Sequence, residues 1–425
     1  MTGLGLLFRR RELGLVWTGG LISMIGDWIL WIALPIRVFE LTDSAFATGL
    51  LVVFRVAPAV VFGTVAGVLV DRWDRRRVLV VANVVQAAAL APLLLLADEA
   101  TVWIAYPVIA VSAVLFSFSD PAESAYLPRL VPPHELQHAN ALNALNNSLA
   151  RLLGPAAGGL LFLIVGLAGV AIVDAATFLI GAALIALVRT PGTPGASEGA
   201  EATGDASRDD AAAAGHALAR LAREWLDGLR MIRRSRPVAV VLGVNGATAV
   251  GEGVFAVMFL VWVERTLHGG AAELGSFMSA QAVGGVLGGL VAGWFVRGLP
   301  PERVFGLGLI AFGVLDGLLF NYPLVLSGVA LGLVLIAIVG VPGVALQAAR
   351  QTLIQTNVPD RYLGRVFAAM GVTSAILMLG STFVAGIVGD RVSPIAVLNV
   401  QALAYVVSGI AVLWLLRPAI STEPA

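Results

Sequence analysis

Gly67-Val68-Leu69-Val70-Asp71-Arg72-Trp73-Asp74-Arg75-Arg76-Arg77 joins two long apolar runs, at 45–70 and 78–97. An apolar run of about 20 residues is long enough to cross the hydrocarbon core of a bilayer as a helix. A short arginine-rich loop between two such runs reads as a hairpin tip held on the inner face of a membrane. Outward from this loop the pattern continues. Further runs lie at 13–39, 101–126, 139–165 and 168–189, and then at 238–263, 273–297, 303–320, 323–349, 365–389 and 394–416. They are too long and continuous for the strands of a barrel. The sequence therefore predicts an all-α membrane protein with about 12 transmembrane helices.

Composition agrees. Of 425 residues, 58% are hydrophobic and 13% charged, against about 25% charged in a soluble domain. The net charge is zero, so no nucleic-acid partner is implied. There is no cysteine, which excludes disulfides, thiol nucleophiles and thiolate metal sites. All 27 basic residues are arginine. Without lysine there is no Walker A phosphate site and no Schiff base, which argues against an ATP-driven pump. No cofactor and no metal are expected. The first twelve residues enter the first run without a small-residue cleavage site, so that run is expected to remain as an uncleaved first helix.

Arginines 9–11, 72–77, 129, 297, 303, 361, 365 and 417 share one side of the expected topology with the central linker. Arg37, Arg265 and Arg391 fall on the other. The positive-inside rule then places both termini and the linker in the cytoplasm, with the chain multi-pass in the cell (inner) membrane. Three units are expected: a six-helix bundle at 1–189, a cytoplasmic linker at 190–237, and a second six-helix bundle at 238–425. Pro191 to Gly215 reads as flexible. His216 to Arg236 reads as an amphipathic helix with Leu218, Leu221, Trp225, Leu229 and Ile232 on one face.

The bundles read as copies. Val131-Pro132 matches Val358-Pro359 at an offset of 227, Gly67 and Arg77 match Gly293 and Arg303 at 226, and Gly26-Asp27 matches Gly251-Glu252 at 225. Near-constant offsets at equivalent places argue for a duplicated, pseudo-symmetric six-helix unit with a substrate site near the bilayer midplane.

Asp71 sits awkwardly, since an acid at a helix C-terminus is unfavourable without a partner. Here the loop resembles that of the major facilitator superfamily, through Gly67, Leu69, Asp71, Arg72, Arg75 and Arg76, with Asp74 in place of the usual glycine. The resemblance implies a cytoplasmic latch in which Asp71 faces Arg365, and an arginine of 72–76 meets Asp120 or Glu123. Gly154, Pro155, Gly158 and Gly159 in span five resemble the antiporter motif of the superfamily's exporters, with Ala150 in place of its preceding glycine. Gly26-Asp27-Trp28 and the stretch 127–132 are similar to the drug/macrolide-efflux and enterobactin-exporter-like branch. Span four lacks the membrane arginine of some drug–proton antiporters, so their proton scheme does not carry over directly.

Ionisable groups inside apolar spans are costly and mark function by default. They are Asp27, Asp174, Glu252 and Asp316, with Arg55 and Arg151 as the bases. Asp27 and Glu252 stand out because each follows a glycine at the same place in its half. An acid whose pKa lies near ambient pH can load a proton on one side and release it on the other. The bland alternative is a structural ion pair, such as Asp27 with Arg55. His134-Glu135-Leu136-Gln137-His138 satisfies the zinc-protease pattern, yet a metalloenzyme needs a third ligand that the sequence does not place nearby. The reading is a transporter, not an enzyme, expected as a monomer. It exports small amphipathic organic molecules by alternating access, through proton antiport. An importer, facilitator or lipid carrier of the same fold is the alternative.

Overall fold

The computed structural model describes residues 4–70, 72–193, 225, 226, 230, 232, 235–295 and 298–416. All regular structure among them is helical: α1 (Leu4–Arg9), α2 (Arg11–Thr42), α3 (Ala45–Val70), α4 (Arg75–Ala89), α5 (Ala105–Leu130), α6 (Leu136–Ala186), α7 (Arg236–Leu267), α8 (Ala271–Phe295), α9 (Pro301–Asn321), α10 (Ala330–Asn357), α11 (Asp360–Gly389) and α12 (Pro394–Leu415). Eleven helices among the described residues are long and apolar enough to cross a membrane. The 51 residues of α6 would run about 76 Å as one straight helix, far more than a bilayer. Gly166 breaks it, at φ 62° and ψ −174°. A left-handed φ of this kind costs glycine nothing and other residues dearly. Its two arms are the fifth and sixth spans, so the eleven helices supply about twelve crossings.

Local chemistry sets several ends. Asp43 and His268 adopt left-handed conformations and stop α2 and α7. Asp74, where relatives of the loop carry glycine, caps α4 by accepting from the Arg77 N–H at 2.8 Å. Most helices also outrun their apolar stretches. The tenth span was expected to end at 349, and α10 continues to Asn357.

Burial runs opposite to that of a soluble bundle. On α12, Val400, Leu403, Val407, Ile410 and Trp414 form an exposed apolar stripe, while Gln401, Tyr405 and Ser408 are buried. Lipid favours such an outer face, and polar groups turn inward to find partners.

The two halves repeat the same pairings. The first helix packs on the fifth and sixth, and the third on the fourth and sixth: α2 with both arms of α6 and α4 with α5 and α6, then α7 with α11 and α12 and α9 with α10 and α12. By compactness the chain divides into Met1–Leu221 with Gly269–Ser279, and Ala222–His268 with Ala280–Ala425. Residues 269–279 join the first unit for a visible reason. In the fifth span the Ala156 N–H, next to Pro155, donates to Ser279 Oγ at 3.0 Å. Of the linker face, Leu218, Leu221 and Leu229 lie outside the described residues. Trp225 donates to Thr373 Oγ1 at 3.2 Å, and Ile232 is buried in the second unit's core.

The glycines of α8 divide by register. Gly284 and Gly288 press on Ala337 and Val341 of α10, whereas a Cβ at Gly285 would meet only Val344, at 3.9 Å. Small residues let helix backbones approach in lipid. Gly288→Val is expected to destabilise the protein by about 1–3 kcal/mol through overpacking, and Gly285→Ala to leave it unchanged. Thermal unfolding followed by tryptophan fluorescence checks the pair.

Candidate functional site: two cavities

The first unit holds an open cavity of about 470 Å³, walled mainly by apolar side chains of α2 to α6. Asp27 projects into it from α2, Arg55 from α3 and Glu123 from α5. Arg55 stacks its guanidinium over the Trp31 ring, 4.3 Å from the centroid, and attracts Asp27 through space. Asn83 and Ser112 add polar atoms to the wall, and Asn83 Oδ1 and Ser112 Oγ are buried with no hydrogen-bond partner among the described residues.

Gly26 explains how Asp27 is placed. It lies against Thr177 and Asp174 of the sixth span, where any side chain would collide. That contact pins one face of α2 and turns the next residue toward the cavity. Asp174 itself is fully buried, accepts from Thr177 Oγ1 at 3.3 Å, and is not part of the cavity wall.

The second unit holds a cavity of about 440 Å³ with a more polar lining. Glu252 occupies the position that Asp27 occupies in the first, and Gly251 before it packs on Gln401 and Tyr405 of α12. Asp316 is buried behind, accepting from Gln401 Nε2 at 3.1 Å. Asp27 and Glu252 are the pair the sequence sets apart from the other two acids. The structure brings Asp27 and Glu252 to cavity walls and leaves Asp174 and Asp316 in helix packing.

Arg350 lies one residue beyond the apolar run expected for the tenth span, within the longer α10. It lines the second cavity, donating to Asn245 Oδ1 at 2.5 Å and to Gln347 Oε1 at 2.7 Å. Asn245 in turn donates to Ser374 Oγ.

Some of the latch residues are engaged within their own half. Asp71 lies outside the described residues. Gly67 has open space where a side chain would stand, and Arg72 and Arg365 are exposed, the latter 5.9 Å from the Tyr362 ring. Arg75 is buried, and its backbone N–H donates to Gly192 O at 3.1 Å. Arg76 donates to the Ala186 and Ile185 carbonyls at 2.5 and 3.3 Å, capping the sixth span, as a cation at a helix C-terminus should. Asp120 is exposed, and Glu123 faces the cavity. In the HExxH stretch, Glu135 is occupied by Arg9 and Arg10, while His134 is exposed. No cluster of potential metal ligands occurs among the described residues.

Gly154 and Gly158 rest on Trp28 and Ile29 of α2, directly after Asp27, and Pro155 and Gly159 rest on Gly275 and Ala271. The glycine-proline motif is therefore a packing face that seats the acid-bearing helix.

The sequence profile of the Major Facilitator Superfamily matches residues 16–374. The chain belongs to the major facilitator superfamily. Macrolide efflux protein A of Streptococcus pyogenes is 25% identical over 385 residues, covering 89% of each chain. Enterobactin exporter EntS of Citrobacter koseri is 24% identical over 404 residues, covering 93% of this chain and 89% of its own. Among solved structures, a bacterial homologue of the iron transporter ferroportin superposes with a TM-score of 0.71 at 15% identity, over 96% of this chain and 99% of that one. The nucleoside transporter NupG gives 0.73 at 12%, over 96% and 100%. At such identities the structural neighbours establish the fold. As a superfamily member the chain is a multi-pass membrane transporter of small molecules, not an enzyme.

Proposed function

We propose that this transporter exports amphipathic organic molecules in exchange for protons, by alternating access, as a monomer of the cell (inner) membrane with both termini cytoplasmic. The observation that carries the reading is the recurrence of a glycine–acid step in both halves, each acid lining a cavity in its own unit. The first cavity has apolar walls and two carboxylates against one arginine. That lining suits a greasy molecule carrying a cationic group, which would compete with protons for the same acids. Efflux-named relatives that align over most of the chain support the outward direction. Orientation rests on the arginine asymmetry of the loops.

The test is susceptibility of an efflux-deficient host to a panel of toxic amphipathic compounds, macrolides included, with and without the protein. Raised resistance to some members, abolished by collapsing the proton gradient, is expected. Unaltered susceptibility together with uptake of the same compounds into whole cells would overturn export in favour of import.

A further inference from the structure

The two cavities differ in sign at equivalent positions. Glu123 and Arg350 each stand eight residues before a Val-Pro step, at Val131-Pro132 and Val358-Pro359. Both side chains line the cavity of their own unit. One half thus presents a carboxylate where the other presents a guanidinium.

Arg350 is held as a binding group is held. Guanidinium carries five N–H donors in a rigid planar fork suited to carboxylates and phosphates. Its two hydrogen bonds go to neutral amide oxygens, of Asn245 and Gln347. These orient the fork without cancelling its charge. Asn245 is itself fixed by its bond to Ser374. Glu252, the acid of this lining, acts on Arg350 through space. A structural arginine in an apolar span would be expected to close a direct ion pair.

We infer that the second unit's cavity is an oxyanion subsite, in which the Arg350 fork receives a carboxylate or similar oxyanion of the transported molecule. The inference rests on the transport reading for the source of the anion. It does not rest on proton coupling or on direction. Glu252 stands in the same lining and opposes the anion, so the Arg350 donors must outweigh it.

The chain has no cysteine, so a single introduced one is unique. Gly371 lines this cavity, and a Cβ there meets nothing within 4 Å. Gly371→Cys in the full-length protein would be labelled with methanethiosulfonates bearing a sulfonate or a trimethylammonium group. Their rate ratio, normalised to a free thiol, reads the local potential and needs no transport or pH gradient. An anionic preference is expected. It should fall by on the order of tenfold in Arg350→Gln, hold in Arg350→Lys, and rise in Glu252→Gln. Ser119→Cys in the first cavity should show the opposite, cationic preference, which Arg350→Gln leaves alone. Benzoate should protect Gly371→Cys, and benzylammonium should not. A cationic preference at Gly371→Cys, or a ratio indifferent to Arg350→Gln in protein that still labels normally at Ser119→Cys, would overturn the subsite. Protection by inorganic phosphate without protection by benzoate would overturn the cargo assignment in favour of a free inorganic anion. Failure of the resistance panel alone would leave these ratios intact, which separates the two proposals.

Discussion

Asp27→Asn is expected to reduce pH-gradient-driven cargo uptake into proteoliposomes to the level of protein-free vesicles. Cargo exchange without a gradient should survive. The reasoning starts from cost. A carboxylate in an apolar span is expensive unless it is paired, hydrated or protonated. Asp27 lines a cavity, so it can meet water or cargo, and Arg55 draws on it without capturing it. Asparagine keeps the size and much of the hydrogen bonding and removes titration. A carrier that cannot release its proton cannot use the gradient, yet it can still swap one cargo molecule for another. Glu252→Gln should be the milder change, because Glu252 shares its cavity with Arg350 and is answered there by a fixed positive charge. Wild-type gradient-driven rates in both single mutants and in the double mutant would rule out these carboxylates and move attention to Asp174 and Asp316.

The repeat and the glycine–acid steps were legible because offsets and neighbours are properties of the sequence. Which way an acid faces was not. The spans are apolar around most of their circumference, so no hydrophobic stripe tells the cavity side from the packing side. Asp27 and Asp174 are both acids within apolar spans, and in the sequence only the recurrence of Gly26-Asp27 as Gly251-Glu252 sets Asp27 apart. The structure adds that Asp27 lines a cavity while Asp174 packs against Gly26. Arg350 was lost to an end effect: the apolar run stops before it, but the helix continues to Asn357. Glu123 was assigned by resemblance to the loop arginines, and no pattern in the sequence indicated that it would turn into a cavity. Asp74 was noted as a departure from the family's glycine. Its role as the cap of α4 follows from backbone geometry at the turn.

Gly158→Ala is expected to abolish transport while the protein remains folded and inserted. In the fifth span, Gly158 stands where a Cβ would lie 2.8 Å from Ile29 Cα and 2.9 Å from Ile29 O. These are backbone atoms of α2, so no rotamer change relieves the clash. The helix itself must move, and Asp27 lies only two residues from the contact. Overpacking of this kind costs about 1–3 kcal/mol, which a membrane bundle of this size can absorb as a modest fall in Tm. Gly26, one turn away on the adjoining face, cannot yield either, because it is already seated against Asp174 and Thr177. Span one is thus seated against both the fifth and sixth spans on adjoining faces, and one added methyl alters the register at which its acid meets the cavity. Leu163→Ile on the same α6 arm, where the side chain is 63% exposed, should behave as wild type. Size-exclusion profile, melting temperature and gradient-driven uptake would be measured on both variants. Full uptake by Gly158→Ala would show that this seating tolerates displacement, and the glycine motif would then be packing without consequence for Asp27.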